Sequence, residues 1–211
     1  MADYKKPDYW RQKARKEGYP ARSVYKLKEI DEKFGLFNVQ RSAIRVLDLG
    51  AAPGSWSLYV LRKIASFGKT AMEKSFLAAA DLSPLSRESD KGLFDNDNFF
   101  FIQGDITAHR IRELLFSKGP YSAIISDAAP NTTGSHTVDA ARSLELAETV
   151  ISYAKDALAP GGNLTLKIFQ GDGSDMPLKQ MKILFKTTKS FKPQACRGES
   201  VETYFIGLGK L

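Results

Sequence analysis

Acidic side chains follow several of the apolar runs that we predict to be strands. Asp81 comes directly after the run Phe76-Leu77-Ala78-Ala79-Ala80, and Asp127 comes after residues 122–126. Open α/β sheets bind their ligands at the carboxyl ends of the strands, where an acid accepts ribose hydroxyls in nucleotide-binding folds. We therefore expect Asp81 to contact a ribose and Asp127 to lie at the same site. The alternative for Asp81 is a helix cap or a turn.

Two further residues have types and positions that suit chemistry. Asp105 closes the predicted strand 99–103 in a Gly-Asp turn, where it either reads an adenine amino group or simply forms the turn. Lys167 stands late in the apolar strand 163–169, on the face opposite Leu164 and Leu166. Lysine is almost never fully buried unless it is paired. Lys167 therefore marks either an exposed strand end or a site.

The loop that organises the chain is Asp48-Leu49-Gly50-Ala51-Ala52-Pro53-Gly54-Ser55-Trp56. It follows a predicted buried strand, residues 44–49, and opens a helix, so it brings bare backbone close to a ligand. The G-x-x-x-G spacing argues against both the G-x-G-x-x-G dinucleotide fingerprint and a Walker loop. With Asp48 before the first glycine, it resembles the S-adenosylmethionine (SAM) loop of class I methyltransferases. A plain strand-turn-helix connection is the alternative, and a Trp at position 56 is more often a core residue than a ligand contact.

Composition limits the class of protein. A chain of 211 residues with 43% apolar content fits one domain with a sizeable core. No apolar run approaches the length of a membrane span, so we expect no membrane association. The single cysteine, Cys196, excludes a disulfide framework, and with only two histidines beside it a structural zinc site is implausible. We expect a cytoplasmic protein that needs no metal.

The N-terminal segment is basic and aromatic. Residues 1–28 carry nine Lys or Arg against three acids, which accounts for +6 of the net charge of +7. Basic residues interleaved with tyrosine and tryptophan suit a phosphate backbone and stacked bases, although a solvated amphipathic helix is the alternative. We predict a helix over residues 7–17 and a second one capped by Ser23. Lys26 lies off the apolar stripe of that second helix and reaches either solvent, the better expectation for an isolated lysine, or a ligand.

The order of the elements indicates the fold class. Five β-α alternations followed by two strands predict a doubly wound, mostly parallel sheet flanked by helices. Residues 68–75 read as a loop insertion, which explains why Asp81 stands 31 residues after Gly50 instead of the usual 20 or so. We predict a basic helix over about residues 176–187, and a last strand that begins at Glu202.

Five segments, in one order, resemble the FtsJ/RrmJ-type ribosomal RNA ribose 2′-O-methyltransferases over nearly the whole chain. They are Ala21-Arg22-Ser23-Val24-Tyr25-Lys26-Leu27, residues 48–57, Ser126-Asp127-Ala128-Ala129-Pro130-Asn131, Lys167-Ile168-Phe169-Gln170-Gly171 and Ser200-Val201-Glu202-Thr203-Tyr204. Two departures stand out. The insertion precedes Asp81, and Val201 replaces the basic residue that we expect at that position.

The resemblance implies a Rossmann-like class I methyltransferase fold with a seven-stranded sheet. From length and composition, we expect residues 1–211 to form one domain, in which the basic aromatic helical segment 1–35 contacts RNA. The resemblance implies a catalytic tetrad at Lys26, Asp127, Lys167 and Glu202. It also implies SAM as the cofactor, held by Asp48, Gly50, Ala51, Pro53, Gly54, Trp56, Asp81, Asp105 and Asp127.

The chemistry of this reaction explains the residue types. SAM carries an activated methyl group, so the enzyme must align a ribose 2′-oxygen with it and manage one proton. A lysine acts as a base when it is desolvated or lies next to a second cation. We expect Lys167 to be the general base, Asp127 and Glu202 to orient the two lysines, and Lys26 to position the ribose or its phosphate.

Several substrates remain open at this stage. Large-subunit ribosomal RNA, free or within the subunit, is the leading expectation, followed by transfer RNA and an mRNA cap. A non-catalytic RNA-binding ribosome-assembly factor is the non-enzyme alternative. The basic N-terminal segment speaks against a small-molecule substrate. We expect a monomer.

Overall fold

A computed structural model describes residues 9–37 and 43–211, and within these ranges seven strands pair into one sheet. The strands are β1 (Arg45–Leu49), β2 (Phe76–Asp81), β3 (Phe99–Gln103), β4 (Tyr121–Ser126), β5 (Leu158–Phe169), β6 (Phe185–Phe191) and β7 (Glu202–Lys210). Their spatial order is β3-β2-β1-β4-β5-β7-β6, in which β1 to β5 are parallel and β7 is antiparallel to both of its neighbours. The predicted doubly wound sheet is confirmed.

Helices cover both faces of the sheet. They are α1 (Tyr9–Lys16), α2 (Val24–Phe34), α3 (Ser55–Ala65), α4 (Lys69–Lys74), α5 (His109–Ser117), α6 (His136–Ala157) and α7 (Met176–Leu184). One apolar core includes Leu27 of α2 and Leu58 of α3, and the other includes Leu115 of α5 and Ile151 of α6. Because both faces are covered, the central strands are apolar almost throughout.

Strand register brings the loops after three strands to one edge of the sheet. Leu49, the last residue of β1, pairs with Ala80 of β2 on one side and with Ser126 of β4 on the other. The next residues along the chain are therefore neighbours in space. This places the loop that begins at Gly50 between Asp81 and Asp127.

Three local predictions differ from the structure. Residues 69–74 form the short helix α4 within the segment predicted as a loop. The basic helix α7 ends at Leu184, and Phe185 starts the edge strand β6, in which two lysines are separated by two threonines. The helix α2 starts after Ser23 as predicted, but the Ser23 side chain makes no capping hydrogen bond. Helical spacing alone does not distinguish such an edge strand from the end of a polar helix.

The predicted N-terminal helix is observed from Tyr9 to Lys16, and the rest of the basic segment before Tyr9 lies outside the described residues. No helix in the described parts of the chain is long and apolar enough to span a membrane.

Candidate active site

A cavity of about 560 Å³ opens at the carboxyl ends of β1 to β4. It lies between the loop after β1, the acids that follow β2 and β3, and the segment after β4. Among the predicted site residues, those on its wall are Gly50, Asp81, Asp105 and Asp127. The helix α6 forms a further wall through Arg142, Glu145, Leu146 and Thr149, none of which is predicted from the sequence as a site residue.

Gly50 lets the loop after β1 pack directly against the segment after β4. Its φ is +80°, and a Cβ at this position would lie 2.6 Å from Cα of Ala128. The amides of Gly50 and Ala51 donate to the carbonyl of Ala80 at 2.9 and 3.2 Å. Only glycine meets both the backbone angle and the close approach. The cavity edge is therefore built from bare backbone, as the loop sequence predicts.

Asp81 and Asp105 combine turn chemistry with a place on the cavity wall. Asp81 accepts the Ala52 amide at 2.9 Å through Oδ2 and the Ser83 amide at 2.8 Å through Oδ1. Asp105 accepts both the amide and the hydroxyl of Thr107 at 2.8 Å. An ionised carboxylate has about four acceptor positions. Each acid therefore shapes its own loop and keeps capacity for a ligand.

Asp48 and Trp56 are buried rather than placed on the cavity wall, and Ala51, Pro53 and Gly54 are also absent from it. Asp48 is fully buried and accepts the Ser57 hydroxyl at 2.7 Å. Burial raises the pKa of Asp48 to about 7; the charges of Asp127 and Asp81 add to the rise, and the Ser57 hydrogen bond opposes it.

Trp56 connects the glycine loop to the helix that carries Lys26. Its indole Nε1 donates to the carbonyl of Ser23 at 2.9 Å, just before α2. The neighbouring Ser55 hydroxyl contacts the backbone N and O of Ala21 at 2.8 and 3.1 Å. The start of α2 is therefore fixed against the start of α3, which orients Lys26.

The four predicted catalytic residues form two ion pairs. Lys167 Nζ lies 2.9 Å from Oδ1 of Asp127 and also donates to the Asp127 carbonyl. Lys26 Nζ lies 2.8 Å from Oε2 of Glu202. Lys26 is 7% exposed, while Lys167 and Glu202 are each 9% exposed. Of the two alternatives for Lys26, the structure contradicts solvent, which the helix pattern alone favoured: the side chain is buried and pairs with Glu202 on β7, 176 residues away.

Sheet register explains how the residues of the two pairs meet. Lys167 of β5 pairs with Tyr204 of β7, and Phe169 pairs with Glu202. Asp127 follows β4, the parallel neighbour of β5. The tetrad therefore combines three adjacent strands with one helix, α2, that lies over their ends.

Tyr204 joins the two ion pairs, although no role for it is predicted from the sequence. Its hydroxyl donates to Oδ1 of Asp127 at 2.6 Å, and its ring centre lies 5.9 Å from Lys26 Nζ. It is fully buried. Alternation along β7 is the signal that was available, because residues two apart, such as Glu202 and Tyr204, share one face of a strand.

The charges of the site perturb its acids. Burial alone would raise the pKa of Asp127, but the ammonium groups of Lys167 and Lys26, with hydrogen bonds from Tyr204 and Lys167, hold it below its usual range. Burial, followed by the charges of Asp127 and Glu202, places the pKa of Tyr204 well above its ordinary value. Burial and then the Glu202 carboxylate raise the pKa of the nearby Cys196 thiol to about 12. Asp127 is thus a carboxylate and Tyr204 a neutral donor at neutral pH.

A basic aromatic surface lies beside the tetrad on α1 and α2. Lys13 Nζ lies 5.4 Å from the ring centre of Trp10 and 4.9 Å from that of Tyr25. Lys28 Nζ lies 5.0 Å from the ring centre of Tyr19. Tyr19 and Tyr25 are themselves buried, so this surface presents the lysine ammonium groups, which suit phosphates, and the partly exposed ring of Trp10, which suits a base.

Comparison with known proteins places the chain among methyltransferases. The family model for FtsJ-like methyltransferases matches residues 19–210. The chain is 47% identical to ribosomal RNA large subunit methyltransferase E of Treponema denticola over 205 residues, which covers 97% of this chain and 96% of the relative. It is 43% identical to the protein of the same name from Oleidesulfovibrio alaskensis, with 96% and 91% covered.

Solved structures confirm the predicted class I methyltransferase fold. A Plasmodium falciparum protein named as a ribosomal RNA methyltransferase superimposes with a TM-score of 0.72 at 22% identity, covering 92% of this chain and 99% of that one. Human methyltransferase-like protein 13, solved in complex with SAH, gives a TM-score of 0.54 at 16% identity, with 98% and 86% covered.

Proposed function

Because the chain belongs to the FtsJ-like methyltransferase family, we propose that it transfers the methyl group of SAM to a ribose 2′-hydroxyl of large-subunit ribosomal RNA. The observation that carries this proposal is the pair of buried lysine–carboxylate contacts, Lys167 with Asp127 and Lys26 with Glu202, of which Asp127 also lines the cavity. The names of the two bacterial relatives described above support ribosomal RNA as the substrate.

The residues of the cavity fit SAM. Its volume of about 560 Å³ is in the range of small-molecule sites. Gly50 keeps one edge open where a Cβ would collide with Ala128. Asp81 and Asp105 offer carboxylates to ribose hydroxyls and an exocyclic amine, and the exposed Leu82 offers an apolar surface to a base. SAM, when bound, supplies a methyl group already activated on a sulfonium.

Lys167, as the neutral amine, is the group that accepts the proton of the 2′-hydroxyl, so its ammonium form must first release a proton to solvent. Its nitrogen is held by both the carboxylate and the carbonyl of Asp127, so its position is defined by two contacts rather than by a flexible side chain. A base that is placed in advance avoids the entropy of finding the reacting atom. Asp127 orients Lys167, and Tyr204 orients Asp127.

Lys26 positions the RNA rather than taking its proton. Glu202 holds the Lys26 ammonium through one oxygen, at 2.8 Å, which leaves further donors of the ammonium for a phosphate or a ribose oxygen. The basic aromatic surface on α1 and α2 continues from Lys26 along the same helix. Substrate RNA therefore lies across α2 and brings one ribose to Lys167.

The test is transfer of labelled methyl from SAM to ribosomal RNA, transfer RNA and isolated large ribosomal subunits, followed by mapping of 2′-O-methyl groups. We expect label on one ribose of large-subunit RNA. We expect Lys167→Ala to lower the rate by at least 100-fold, because positioned proton transfer contributes roughly 10²- to 10⁴-fold. Lys182→Ala, which removes an exposed lysine on α7, is the matched control.

Other outcomes separate the remaining functions. Label on transfer RNA alone would keep the chemistry and replace the substrate. Bound SAM without transfer to any of these RNAs would contradict the enzymatic function and favour an assembly factor. An unchanged rate in Lys167→Ala would contradict the role of Lys167 as the base.

A further inference from the structure

A second cavity, of about 590 Å³, opens between α1, α2 and the segment that joins β6 to β7. We call it the α2 cleft. It is lined by two aromatic residues, two lysines, two glutamates and one glutamine, namely Trp10, Phe191, Lys33, Lys192, Glu29, Glu32 and Gln194. We propose that the α2 cleft binds an unpaired nucleotide of the substrate RNA, close in the chain to the nucleotide that is methylated. The inference rests on the proposed function and adds to it a subsite for a base.

The cleft is connected to the catalytic residues through α2. Lys26, Glu29 and Lys33 are spaced by three and four residues, so they share one face of the helix. A rise of about 1.5 Å per residue puts Lys33 roughly 10 Å along the axis from Lys26. An RNA strand whose ribose reaches Lys26 therefore has its neighbouring nucleotides at the cleft.

The sheet connects the same two places from the other side. Phe191, the last residue of β6, pairs with Tyr204 of β7, whose hydroxyl contacts Asp127. The α2 cleft and the tetrad are thus built on the same helix and on adjoining strands. A nucleotide bound in the cleft would fix the position of the strand that enters the active site.

The walls of the cleft are held in place before any ligand binds. The Glu29 carboxylate accepts the backbone amide of Gln194 at 2.7 Å and that of Ala195 at 2.9 Å. The Phe191 ring packs edge-on against Phe34, with their centres 5.4 Å apart. Lys192 donates to the Ser200 carbonyl at 2.7 Å. A preorganised site loses less conformational entropy on binding.

The chemistry of the cleft matches a nucleotide better than a peptide. Stacking on an aromatic ring suits any base, because every base has a π-face, and lysines suit the phosphate attached to it. The Lys33 ammonium lies 4.3 Å from the centre of the Phe191 ring. A base that stacks on Phe191 displaces the Lys33 ammonium from the ring. The phosphate of the same nucleotide can then pair with that ammonium. Glu32 and Gln194 are exposed and can hydrogen-bond to the edge of the base.

The test compares binding of two single-stranded probes to the full chain. One is an eight-nucleotide oligouridylate, and the other is an oligonucleotide of the same length made of abasic units, which has the phosphates but no bases. We expect Phe191→Leu, which keeps an apolar side chain but removes the ring, to weaken oligouridylate binding about 5-fold or more. Binding of the abasic probe should not change.

A second variant and a control make the comparison specific. Lys192→Ala should weaken binding of both probes, because it removes a phosphate contact together with the hydrogen bond to the Ser200 carbonyl. Phe67→Ala removes a half-buried ring outside the cleft and should leave both affinities unchanged. Thermal unfolding of each variant reports whether the fold is retained.

Two results would overturn the proposal. The first is that Phe191→Leu and Lys192→Ala both bind oligouridylate as tightly as the unmodified chain does. Alternatively, Phe191→Leu could slow methylation of assembled large subunits with oligouridylate binding unchanged, which would assign the cleft to a ribosomal protein. Failure of the proposed function can be distinguished from failure of the cleft proposal. If the proposed function is wrong, the unmodified chain transfers no methyl group to RNA, whichever probes it binds.

Discussion

The Tyr204 hydroxyl lies 2.6 Å from Oδ1 of Asp127. The same oxygen lies 2.9 Å from Lys167 Nζ, so one carboxylate atom receives a phenol and an ammonium together. Tyr204 also faces Lys167 across the β5–β7 register. The orientation of Asp127 is therefore set by a strand on the far side of β5, and the tetrad depends on a fifth side chain.

Removing this hydroxyl should slow catalysis without loss of cofactor binding. Hydrogen bonds to charged groups contribute about 1.5–3 kcal/mol, so we expect Tyr204→Phe to lower kcat about tenfold or more and to raise the pKa of Asp127. Tyr121→Phe is the matched control, because its buried hydroxyl donates to the Leu115 carbonyl at 2.6 Å, away from the tetrad. Steady-state rates and SAM affinity check both variants. Equal rates for the two would contradict a positioning role for Tyr204.

The Lys26–Glu202 pair should show strong coupling in a double-mutant cycle. Removing one member of a buried ion pair leaves an uncompensated charge, at a cost of about 3–5 kcal/mol. We expect Lys26→Met and Glu202→Gln each to reduce the free energy of unfolding, and the double variant to lose clearly less than their sum. Denaturant unfolding measures the four proteins. Additive losses would mean that the two side chains do not interact in solution.

Gly50 should be intolerant of any side chain. In Gly50→Ala the new Cβ meets backbone atoms of Ala128 at 2.6 to 2.7 Å, so the cavity edge has to move. Gly92 has a similar φ of +78° with nothing within 4 Å of the corresponding Cβ, so Gly92→Ala reports the backbone strain alone. We expect SAM affinity, measured by calorimetry, to fall at least tenfold in Gly50→Ala. Gly92→Ala should bind SAM within twofold of the unmodified chain.

Asp48 should make stability depend on pH near neutrality. Its folded-state pKa of about 7 exceeds the ordinary value of 3.8, so the folded chain binds this proton more tightly than the unfolded chain does. The contribution of Asp48 to stability therefore falls as pH rises from about 4 to about 7, by roughly 1.4 kcal/mol per pH unit at most, and is constant above that range.

Asp48→Asn removes this titration. We define the difference in melting temperature as that of Asp48→Asn minus that of the unmodified chain. We expect this difference to be clearly more positive at pH 8 than at pH 5, because the amide never becomes charged. The Ser57 hydroxyl can still donate to the amide oxygen. Melting curves at the two pH values make the comparison, and a difference that is the same at both would show that Asp48 does not titrate in this range.

Local sequence was enough to predict most of the strands and the turn that surround the site. Apolar runs closed by Asp81 or Asp127 mark buried parallel strands, and small residues between β1 and α3 mark a turn that only bare backbone can make. The alternation along β5 also identified Lys167 as anomalous. These signals are local, because they come from side-chain periodicity and backbone sterics within about ten residues.

Other features of the site depend on contacts between segments that are distant in the chain. The helix pattern alone favoured solvent for Lys26, and only the family resemblance placed it in the tetrad, because the pattern contains no information about Glu202, which meets it only after β7 pairs with β5. The cavity wall on α6 and the contact of Trp56 with Ser23 also depend on how helices pack across the sheet. Such contacts join residues from 33 to 176 positions apart.

The sequence by itself determined which segments form strands and helices, where the glycine loop lies, and which residue types stand at the ends of the strands. Only the tertiary structure decided that Lys26 is buried, that Tyr204 links the two ion pairs, and that Trp10 and Phe191 enclose one cleft. The physical reason is that periodicity specifies which face of an element is apolar. Which charged side chains meet is decided by long-range pairing, where burial makes an unpaired charge too costly to keep.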